Sequence, residues 1–283
     1  MTTDLCNTAR LAASNLPYFY HSLEGAFRGI ADAGYRNVEF FAGTPHFFVD
    51  PEGHSDCGPV LRLAERYGLS IRALHPETLS GRYSLCVEDP VWRELSLSWF
   101  RRNLEAAARL GAELVTLEAA GMLLDRPAQE ARERCAEDLR VLAGYARELG
   151  LVLALAATPL DRPGCAHTLS ELSALLRMVD SPSLKALLSI PAMAEAGESI
   201  PQWFGALGTE IVYLHFCDAR PGSSQVWGHG VLPLRKLLGQ LEAAGYQGLL
   251  GQYLDGDDSQ AEPARCDREN MEALAAAWPV SAG

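Results

Sequence analysis

The feature of this sequence that most constrains the fold is a repeated alternation of short apolar segments with amphipathic segments of helical periodicity. The repeat has a period of ~30 to 40 residues, which is the length of one strand–helix unit. Predicted strands lie at residues 10–14, 37–41, 70–74, 112–118, 151–155, 184–190, 211–217 and 248–253. Predicted helices lie at residues 24–33, 58–67, 90–110, 127–149, 168–179, 201–207, 232–244 and 262–277. The chain therefore carries about eight strand–helix units.

Each predicted strand is a nearly continuous apolar run, which is typical of strands buried on both faces in a parallel sheet. Eight such units close into a (β/α)8 TIM barrel, which typically needs about 250 residues, and the chain has 283. No Gly/Ser-rich or Pro-rich linker divides the repeat, so the sequence predicts one α/β domain over residues 1–283. An open doubly wound sheet is the alternative, and it is less favoured because no Gly-x-Gly-x-x-Gly turn follows the first strand.

Charge and cysteine content restrict the class of protein. The formal net charge is −12 and the isoelectric point is near 5.0, so a phosphate backbone would be repelled and no nucleic-acid partner is expected. The seven cysteines contain no Cys-x-x-Cys pair, which is typical of reduced cytosolic thiols. Residues 1–16 do not resemble a leader peptide, and no apolar segment approaches the ~20 residues that cross a bilayer. A cytoplasmic protein without a membrane partner is therefore expected.

Polar side chains follow several of the predicted strands. The clearest case is an apolar run that ends in His215-x-x-Asp218 and is followed by Gly228-His229-Gly230. The carboxyl ends of barrel strands meet at one opening, and active sites are built there. This rule selects as candidates Glu39, His46, His75, Glu77, Glu118, His215, Asp218 and Gln252. Glu39 lies inside its predicted strand and is interpreted as a structural charge of the barrel interior.

Short motifs in a fixed order support a family resemblance over nearly the whole chain. They include Pro45-His46, Pro76-Glu77-Thr78, Thr158-Pro159, Leu214-His215 with Asp218, and Gly245-Tyr246 with Gly248. In these motifs the chain resembles the xylose isomerase-like barrels, which include sugar epimerases, sugar-phosphate isomerases, inosose dehydratase and endonuclease IV. Within them it is most similar to the fructoselysine epimerase group.

The resemblance implies a divalent metal, usually manganese, held by Glu, Asp, His and Glu at the ends of the fifth to eighth strands. In that family the two Glu also move a proton next to a carbonyl. The corresponding positions here are Leu155, Ser189, His215 and Gln252. One imidazole, a hydroxyl and an amide provide no charge to offset desolvation of a dication. The sequence therefore predicts no metal cofactor, or a very weak site, and metal-independent acid–base chemistry.

The remaining polar residues near the predicted strand ends are the candidates for catalysis and substrate binding. Glu118 is predicted as a replacement base beside the lost ligands, His215 as its partner, and Glu77 as a further catalytic group because it belongs to the matched Pro-Glu. Predicted substrate-binding residues are His46, Asp218, Arg220, Gln252 and Trp227. Arg220 resembles a substrate-binding arginine just beyond the His-x-x-Asp motif, with a solvated loop arginine as the alternative. Trp227 would form an apolar wall for a sugar ring, with packing in the core as the alternative.

Two functions remain open at this point. The first is an isomerase or epimerase acting on a sugar-like polyol. The second is a catalytically inactive pseudoenzyme that serves as a binding or partner subunit. Relatives commonly assemble, so a homo-oligomer or a complex with an active homologue is expected. DNA repair in the manner of endonuclease IV is disfavoured by the acidic charge and by the absence of that enzyme's zinc ligands.

Overall fold

The structure, a computed structural model, describes residues 8–49, 55–78 and 80–277. Its strands are β1 (Leu11–Ser14), β2 (Asn37–Ala42), β3 (Ser70–Pro76), β4 (Leu114–Glu118), β5 (Val152–Ala156), β6 (Leu184–Ser189), β7 (Ile211–His215), β8 (Asp218–Arg220), β9 (Ser223–Gln225) and β10 (Leu249–Gln252). Its α-helices are α1 (Leu23–Asp32), α2 (Gly58–Tyr67), α3 (Pro90–Leu110), α4 (Ala128–Glu148), α5 (Leu169–Val179), α6 (Ile190–Glu195), α7 (Ile200–Leu207), α8 (Leu234–Ala243), α9 (Asp257–Ala261) and α10 (Pro263–Ala277). Short 3-10 helices lie at Thr8–Arg10, Leu16–Tyr18 and Gly208–Glu210.

Eight parallel strands close into a barrel in the order β1-β2-β3-β4-β5-β6-β7-β10. The barrel closes because β1 pairs with β2 on one side and with β10 on the other. This closure confirms the predicted (β/α)8 fold and excludes the open sheet. Strands β8 and β9 form a separate antiparallel hairpin after β7, so the eighth barrel strand is β10.

Local sequence signals set the helix ends. The side chains of Ser22, Asp89 and Thr168 cap α1, α3 and α5 by accepting hydrogen bonds from backbone N–H groups of the first turn. Gly68 and Gly111 end α2 and α3 in the left-handed conformation that glycine adopts without steric cost. The predicted strands and helices agree with the observed bounds to within two residues; α6, α9 and the β8–β9 hairpin were not predicted. No helix in the described part of the chain has the length and hydropathy needed to cross a bilayer.

The barrel interior changes in character along its axis. A small apolar cluster of Ala73, Ala154, Ala156, Leu187 and Tyr213 fills one layer. The larger core lies between the outer face of the barrel and the surrounding helices. Next to the small cluster, the side chains of Glu39 and Thr116 meet inside the barrel. This polar layer of Glu39 and Thr116 therefore lies at the base of any site formed at the strand ends.

Candidate active site

A cavity of about 500 Å³ opens at the carboxyl ends of the barrel strands. Glu118 at the end of β4, Ser189 at the end of β6, His215 at the end of β7 and Tyr253 just after β10 all line it. The volume lies within the range of small-molecule sites. The position agrees with the rule that barrel active sites form at this face.

Glu39 and His215 form the polar contact at the base of this cavity. Nε2 of His215 lies 2.9 Å from Oε1 and 3.1 Å from Oε2 of Glu39. Because a carboxylate can only accept, the imidazole donates through Nε2. Tyr213 donates its hydroxyl to Oε2 of the same carboxylate at 3.0 Å. These bonds fix the tautomer of His215, and its Nδ1 makes no hydrogen bond to any described residue.

Thr116 and His75 complete the network around Glu39. The Thr116 hydroxyl donates to Oε1 of Glu39 at 3.0 Å and lies 2.9 Å from Nδ1 of His75. Since a hydroxyl both donates and accepts, it links the two groups in one chain. Burial of Glu39 raises its pKa, but the electrostatic interactions and hydrogen bonds with the imidazoles of His215 and His75 outweigh burial and hold the pKa of Glu39 well below its ordinary value. Glu39 is therefore a fixed buried anion.

Tyr253 covers the two imidazoles. Its ring stacks on His215 with centroids 4.6 Å apart and planes 11° apart, and it lies 4.8 Å from the His75 ring. Burial first, and then the carboxylates of Glu118 and Asp255, raise the pKa of the Tyr253 phenol well above its ordinary value. Tyr253 thus remains a neutral phenol and gives the cavity an apolar wall beside His215.

Glu118 and Arg162 form the charged wall of the cavity. Nη1 of Arg162 lies 3.4 Å from Oε2 of Glu118, whose side chain is 13% exposed. Burial lowers the pKa of Arg162, but Glu118 and Asp255 outweigh it and raise the pKa, so the guanidinium stays charged. Arg162 lies in the irregular segment after β5, where no sequence motif marked it. Arg220 lies at the exposed rim of the same cavity, on β8.

Five of the eight predicted site residues do not line this cavity, and three of them, Glu77, His46 and Trp227, have partners elsewhere. Glu77 accepts hydrogen bonds from the amide and hydroxyl of Ser80, both at 2.8 Å, and lines a separate depression. His46 donates through Nε2 to the carbonyl of His21 at 2.9 Å, and its Nδ1 lies 3.0 Å from the amide nitrogen of Asn15. Burial lowers the pKa of His46. Trp227 packs in the core, where its indole donates to the carbonyl of Phe216 at 3.1 Å. All three have structural partners here.

Asp218 is engaged by the backbone. Its carboxylate accepts from the amides of Ala219, Gly228, Gly230 and Leu232 at 2.8 to 3.0 Å, and the residue is 1% exposed. Three of these bonds, from Gly228, Gly230 and Leu232, hold the Gly228-to-Leu232 loop against β8. The carboxylate has no free face toward a substrate, so its role in this structure is to fix the loop.

Gln252 on β10 was predicted to face the cavity, but the alternation of side chains along the strand gives that position to Tyr253. A Cβ built on Gly251 would lie 2.5 Å from the Tyr213 hydroxyl and 2.9 Å from Oε2 of Glu39, so position 251 faces the barrel interior. Gln252 therefore faces away, and its amide donates to the carbonyl of Phe216 at 2.8 Å. Tyr253, two residues after Gly251, faces the same side as Gly251 and lines the cavity, whereas Gln252 does not. On β5 the same alternation places Ala154 and Ala156 inside and Leu155 against the helices.

The donor set of the cavity does not fit the metal site that the family resemblance implies. The three positions that correspond to lost family ligands carry no carboxylate: Ala156 on β5 faces the barrel interior, and Ser189 at the end of β6 and Tyr253 just after β10 line the cavity. A second donor set does converge, since one ligand atom each of Glu39, His75 and His215 lies within 4.8 Å of the others. One carboxylate and two imidazoles suit zinc or ferrous iron. These three residues are the ones that would hold a divalent ion at the cavity floor.

Comparison with known proteins places the chain in a family. A sequence profile described as xylose isomerase-like TIM barrel matches residues 27–275. The chain belongs to the xylose isomerase-like TIM barrel family. Fructoselysine 3-epimerase from Escherichia coli O157:H7 is 28% identical over 265 residues, which cover 91% of this chain and 94% of that protein. This confirms the resemblance to epimerases of the family.

Solved structures agree on the fold of this xylose isomerase-like protein. 3-Keto-D-glucoside 4-epimerase from E. coli superimposes with a TM-score of 0.77 at 19% identity, over 94% of this chain and 98% of that chain. D-psicose 3-epimerase, solved in the presence of D-fructose, superimposes with a TM-score of 0.76 at 18% identity, over 94% and 97% of the two chains. At these identities the likeness establishes the barrel and leaves the site chemistry to the residues themselves.

Proposed function

We propose that this protein is an isomerase or epimerase of a sugar-like polyol and that it transfers protons with its own side chains. The observation that carries the proposal is the 2.9 Å bond between Glu39 and His215 at the base of the cavity that also contains Glu118 and Arg162. A buried carboxylate that orients an imidazole is a recurrent way to position a general base. The family membership and the epimerase relatives support the substrate class.

His215 is suited to abstract a proton from the carbon next to a carbonyl. Its Nε2 proton is committed to Glu39, so Nδ1 is the nitrogen that can accept. Removal of the carbon-bound proton gives an enediolate. Returning a proton to the other face of the same carbon is epimerisation, and returning it to the neighbouring carbon is isomerisation. Glu118, in the wall of the same cavity, is the proposed acid and base for that second transfer.

Arg162 is proposed to stabilise the oxyanion of the enediolate. The family implies that a dication fulfils this role, but here a guanidinium stands beside Glu118 at 3.4 Å. Its charge is fixed and partly shielded from water, which strengthens its interaction with a developing negative charge. Arg220 at the rim is proposed to contact the distal hydroxyl groups of the substrate.

The proposed reaction does not require a divalent ion. The hydrogen bonds among Glu39, Thr116, His75, His215 and Tyr213 form a network in which both carboxylate oxygens are engaged, and a satisfied buried network resists rearrangement. If an ion does bind, Glu39, His75 and His215 would hold it, and it would supply polarisation of the substrate oxygens. Activity measured with and without chelator separates the two cases.

The decisive experiment is exchange of solvent deuterium into a panel of ketoses and keto-glycosides, followed by NMR in D2O with excess EDTA. The expected result is deuterium incorporation at the carbon next to the carbonyl of at least one substrate. Replacing His215 by Gln, or Glu118 by Gln, should lower the rate by about 10²- to 10⁴-fold. Arg162→Gln should lower it by about 10²- to 10³-fold. Exchange that requires added Mn²⁺ would contradict the metal-independent mechanism.

Glu113→Gln is the matched control for Glu118→Gln. Glu113 immediately precedes β4 at the opposite end of the barrel, and its exposed side chain pairs with Arg72. Loss of an exposed ion pair has little effect on stability, so this variant should exchange at the wild-type rate. An equal loss in both variants would contradict the role of Glu118.

A binding subunit without turnover is the second candidate, and the lack of a carboxylate at Ala156 in the barrel interior and at Ser189 and Tyr253 in the cavity wall favours it. Such a subunit would act as a homo-oligomer or beside an active homologue. Thermal stabilisation by a sugar, with no deuterium exchange in any condition, would support this function over the first.

A further inference from the structure

Three buried cysteines bring their sulfur atoms together outside the cavity. Cys86 precedes α3, Cys135 lies on α4, and Cys165 follows β5. Their Sγ atoms all lie within 4.8 Å of one another, and those of Cys86 and Cys165 are 3.6 Å apart. None of the three lines the candidate active site. The residues are 3%, 0% and 1% exposed, so the cluster is shielded from water.

The spacing of the sulfur atoms suits a single metal ion. A metal–sulfur bond of about 2.3 Å places thiolates on one ion roughly 3.8–4.0 Å apart. The observed separations span this value, so small side-chain rotations would complete the site. The three ligands come from three separate elements, which is how a folded chain builds a site that its local sequence does not show.

Two arginines provide positive charge next to the sulfurs. Nε of Arg132 donates to the carbonyl of Cys165 at 2.9 Å, and Nε of Arg134 donates to the carbonyl of Cys86 at 3.4 Å. Groups around the ligands tune a metal site, and these two guanidinium groups would offset the negative charge of an ion bound by thiolates.

The backbone at Cys86 is held in an uncommon conformation. Its φ is 70°, and among the described non-glycine residues only Asp180 shares a positive φ. Such a conformation costs free energy and persists where the surrounding structure requires the side chain in place. Cys86 lies in the irregular segment between β3 and α3.

We infer that Cys86, Cys135 and Cys165 form a binding site for a soft ion, Cu(I), with three sulfur ligands. Soft thiolates select Cu(I) and zinc, but tetrahedral zinc needs a fourth ligand. The carboxylate that acts on Cys86, Asp138, is engaged by Nε of Arg93 at 2.7 Å. Three thiolates with one Cu(I) carry two negative charges, which the two arginines match. Binding releases the remaining thiol protons to solvent and changes no oxidation state.

The test is an anaerobic titration of the reduced full-length protein with Cu(I), in competition with bathocuproine disulfonate. One Cu(I) per chain should be retained, and X-ray absorption should give three sulfur neighbours at about 2.3 Å. Cys135→Ser and Cys86→Ser should each lower the affinity by at least 10-fold. Cys57→Ser is the matched control, because Cys57 is also buried but lies outside the cluster; it should bind like wild type.

A measurement on the wild-type protein avoids dependence on the folding of the variants. Cu(I) should protect Cys86, Cys135 and Cys165 from iodoacetamide in partly unfolding urea, and should leave Cys57 and Cys266 as reactive as before. Retention of Cu(I) no stronger than in Cys86→Ser would overturn the proposal. A Cys86–Cys165 disulfide formed on addition of copper, or equal protection of all cysteines, would also overturn it.

Discussion

The carboxylate of Glu39 accepts a hydrogen bond from Nε2 of His215 at 2.9 Å, where the two side chains are 0% and 8% exposed. The residues come from β2 and β7, on opposite parts of the barrel wall, and meet in its interior. A charge in this position requires full hydrogen bonding. The hydroxyls of Thr116 and Tyr213 provide the other partners. The pair therefore links the stability of the barrel to the orientation of the proposed base.

Glu39→Gln should show whether Glu39 positions the His215 imidazole or contributes to substrate binding. The amide keeps the shape but removes the anion that fixes His215, so we expect kcat to fall by about 10- to 100-fold with KM nearly unchanged. Steady-state kinetics on the substrate found by deuterium exchange would measure this. A rise in KM with unchanged kcat would show instead that Glu39 acts on substrate binding.

The same variant should change the pH dependence of stability. The pKa of Glu39 is depressed in the folded state from an ordinary value of 4.5. Its stabilisation is therefore present above that value and is lost as the pH falls through the folded-state pKa. Glu39→Gln should cost about 3 kcal/mol near pH 7, and the difference from wild type should shrink in acid. Urea unfolding at several pH values would test this; a difference that grows in acid would contradict it.

Gly251→Ala should damage the network without removing any of its polar groups. The new Cβ would lie 2.5 Å from the Tyr213 hydroxyl and 2.9 Å from Oε2 of Glu39. Both neighbours are fully buried, so we expect a loss of about 1–3 kcal/mol in unfolding free energy. Gly239→Ala is the control, since Gly239 lies in α8 with open space around it. That variant should gain up to about 1 kcal/mol.

Asp218→Ala should release the loop that follows the β8–β9 hairpin. Four amides lose their acceptor, and each hydrogen bond to a charged group contributes about 1.5–3 kcal/mol. Hydrogen exchange followed by mass spectrometry should show faster exchange at Gly228 to Leu232 before any change in the barrel strands. Retained protection of this loop would contradict the anchoring role.

Asp267→Asn should stabilise the protein at neutral pH. Burial raises the pKa of Asp267 from 3.8 to about 7, although Tyr18 donates to its Oδ2 at 2.6 Å. Below pH 4 the carboxyl is protonated in both states. Between pH 4 and 7 it ionises only in the unfolded state, so stability falls as the pH rises. The variant should lack this loss and be more stable by about 2–4 kcal/mol at pH 7.5. Urea midpoints at pH 5 and 7.5 would measure it; an equal gain at both would contradict the titration.

The fold followed from the sequence because its signals are local. Apolar runs of strand length, amphipathic helices and terminal glycines such as Gly68 each act within a few residues. Closure of eight such units then leaves little choice of topology. The same reasoning placed Glu118 and His215 at the opening, and the family resemblance added Arg220; all three line the cavity.

The interior of the site depended on register, which the sequence does not show. Glu39 was interpreted as a charge of the barrel interior, but all six residues of β2 are buried, so no alternation of polar and apolar residues predicted its contact with His215. Strand β3 extends to Pro76, which keeps His75 in the barrel and moves Glu77 into the loop. On β10 the predicted cavity-facing residue, Gln252, was wrong by one position, and Tyr253 lines the cavity instead, because successive side chains of a strand face opposite sides. Arg162 lies on an irregular segment without periodicity.

Folding of the barrel does not require a neutral residue at Ser189 in the cavity wall. Its hydroxyl caps α6 by accepting from the amide of Ala192 at 3.4 Å while the residue lines the cavity. Aspartate is as good a helix cap as serine, and the start of a helix favours a negative charge. A carboxylate could therefore occupy this position at no cost to the barrel. A single replacement, Ser189→Asp, would therefore add a carboxylate to the cavity wall.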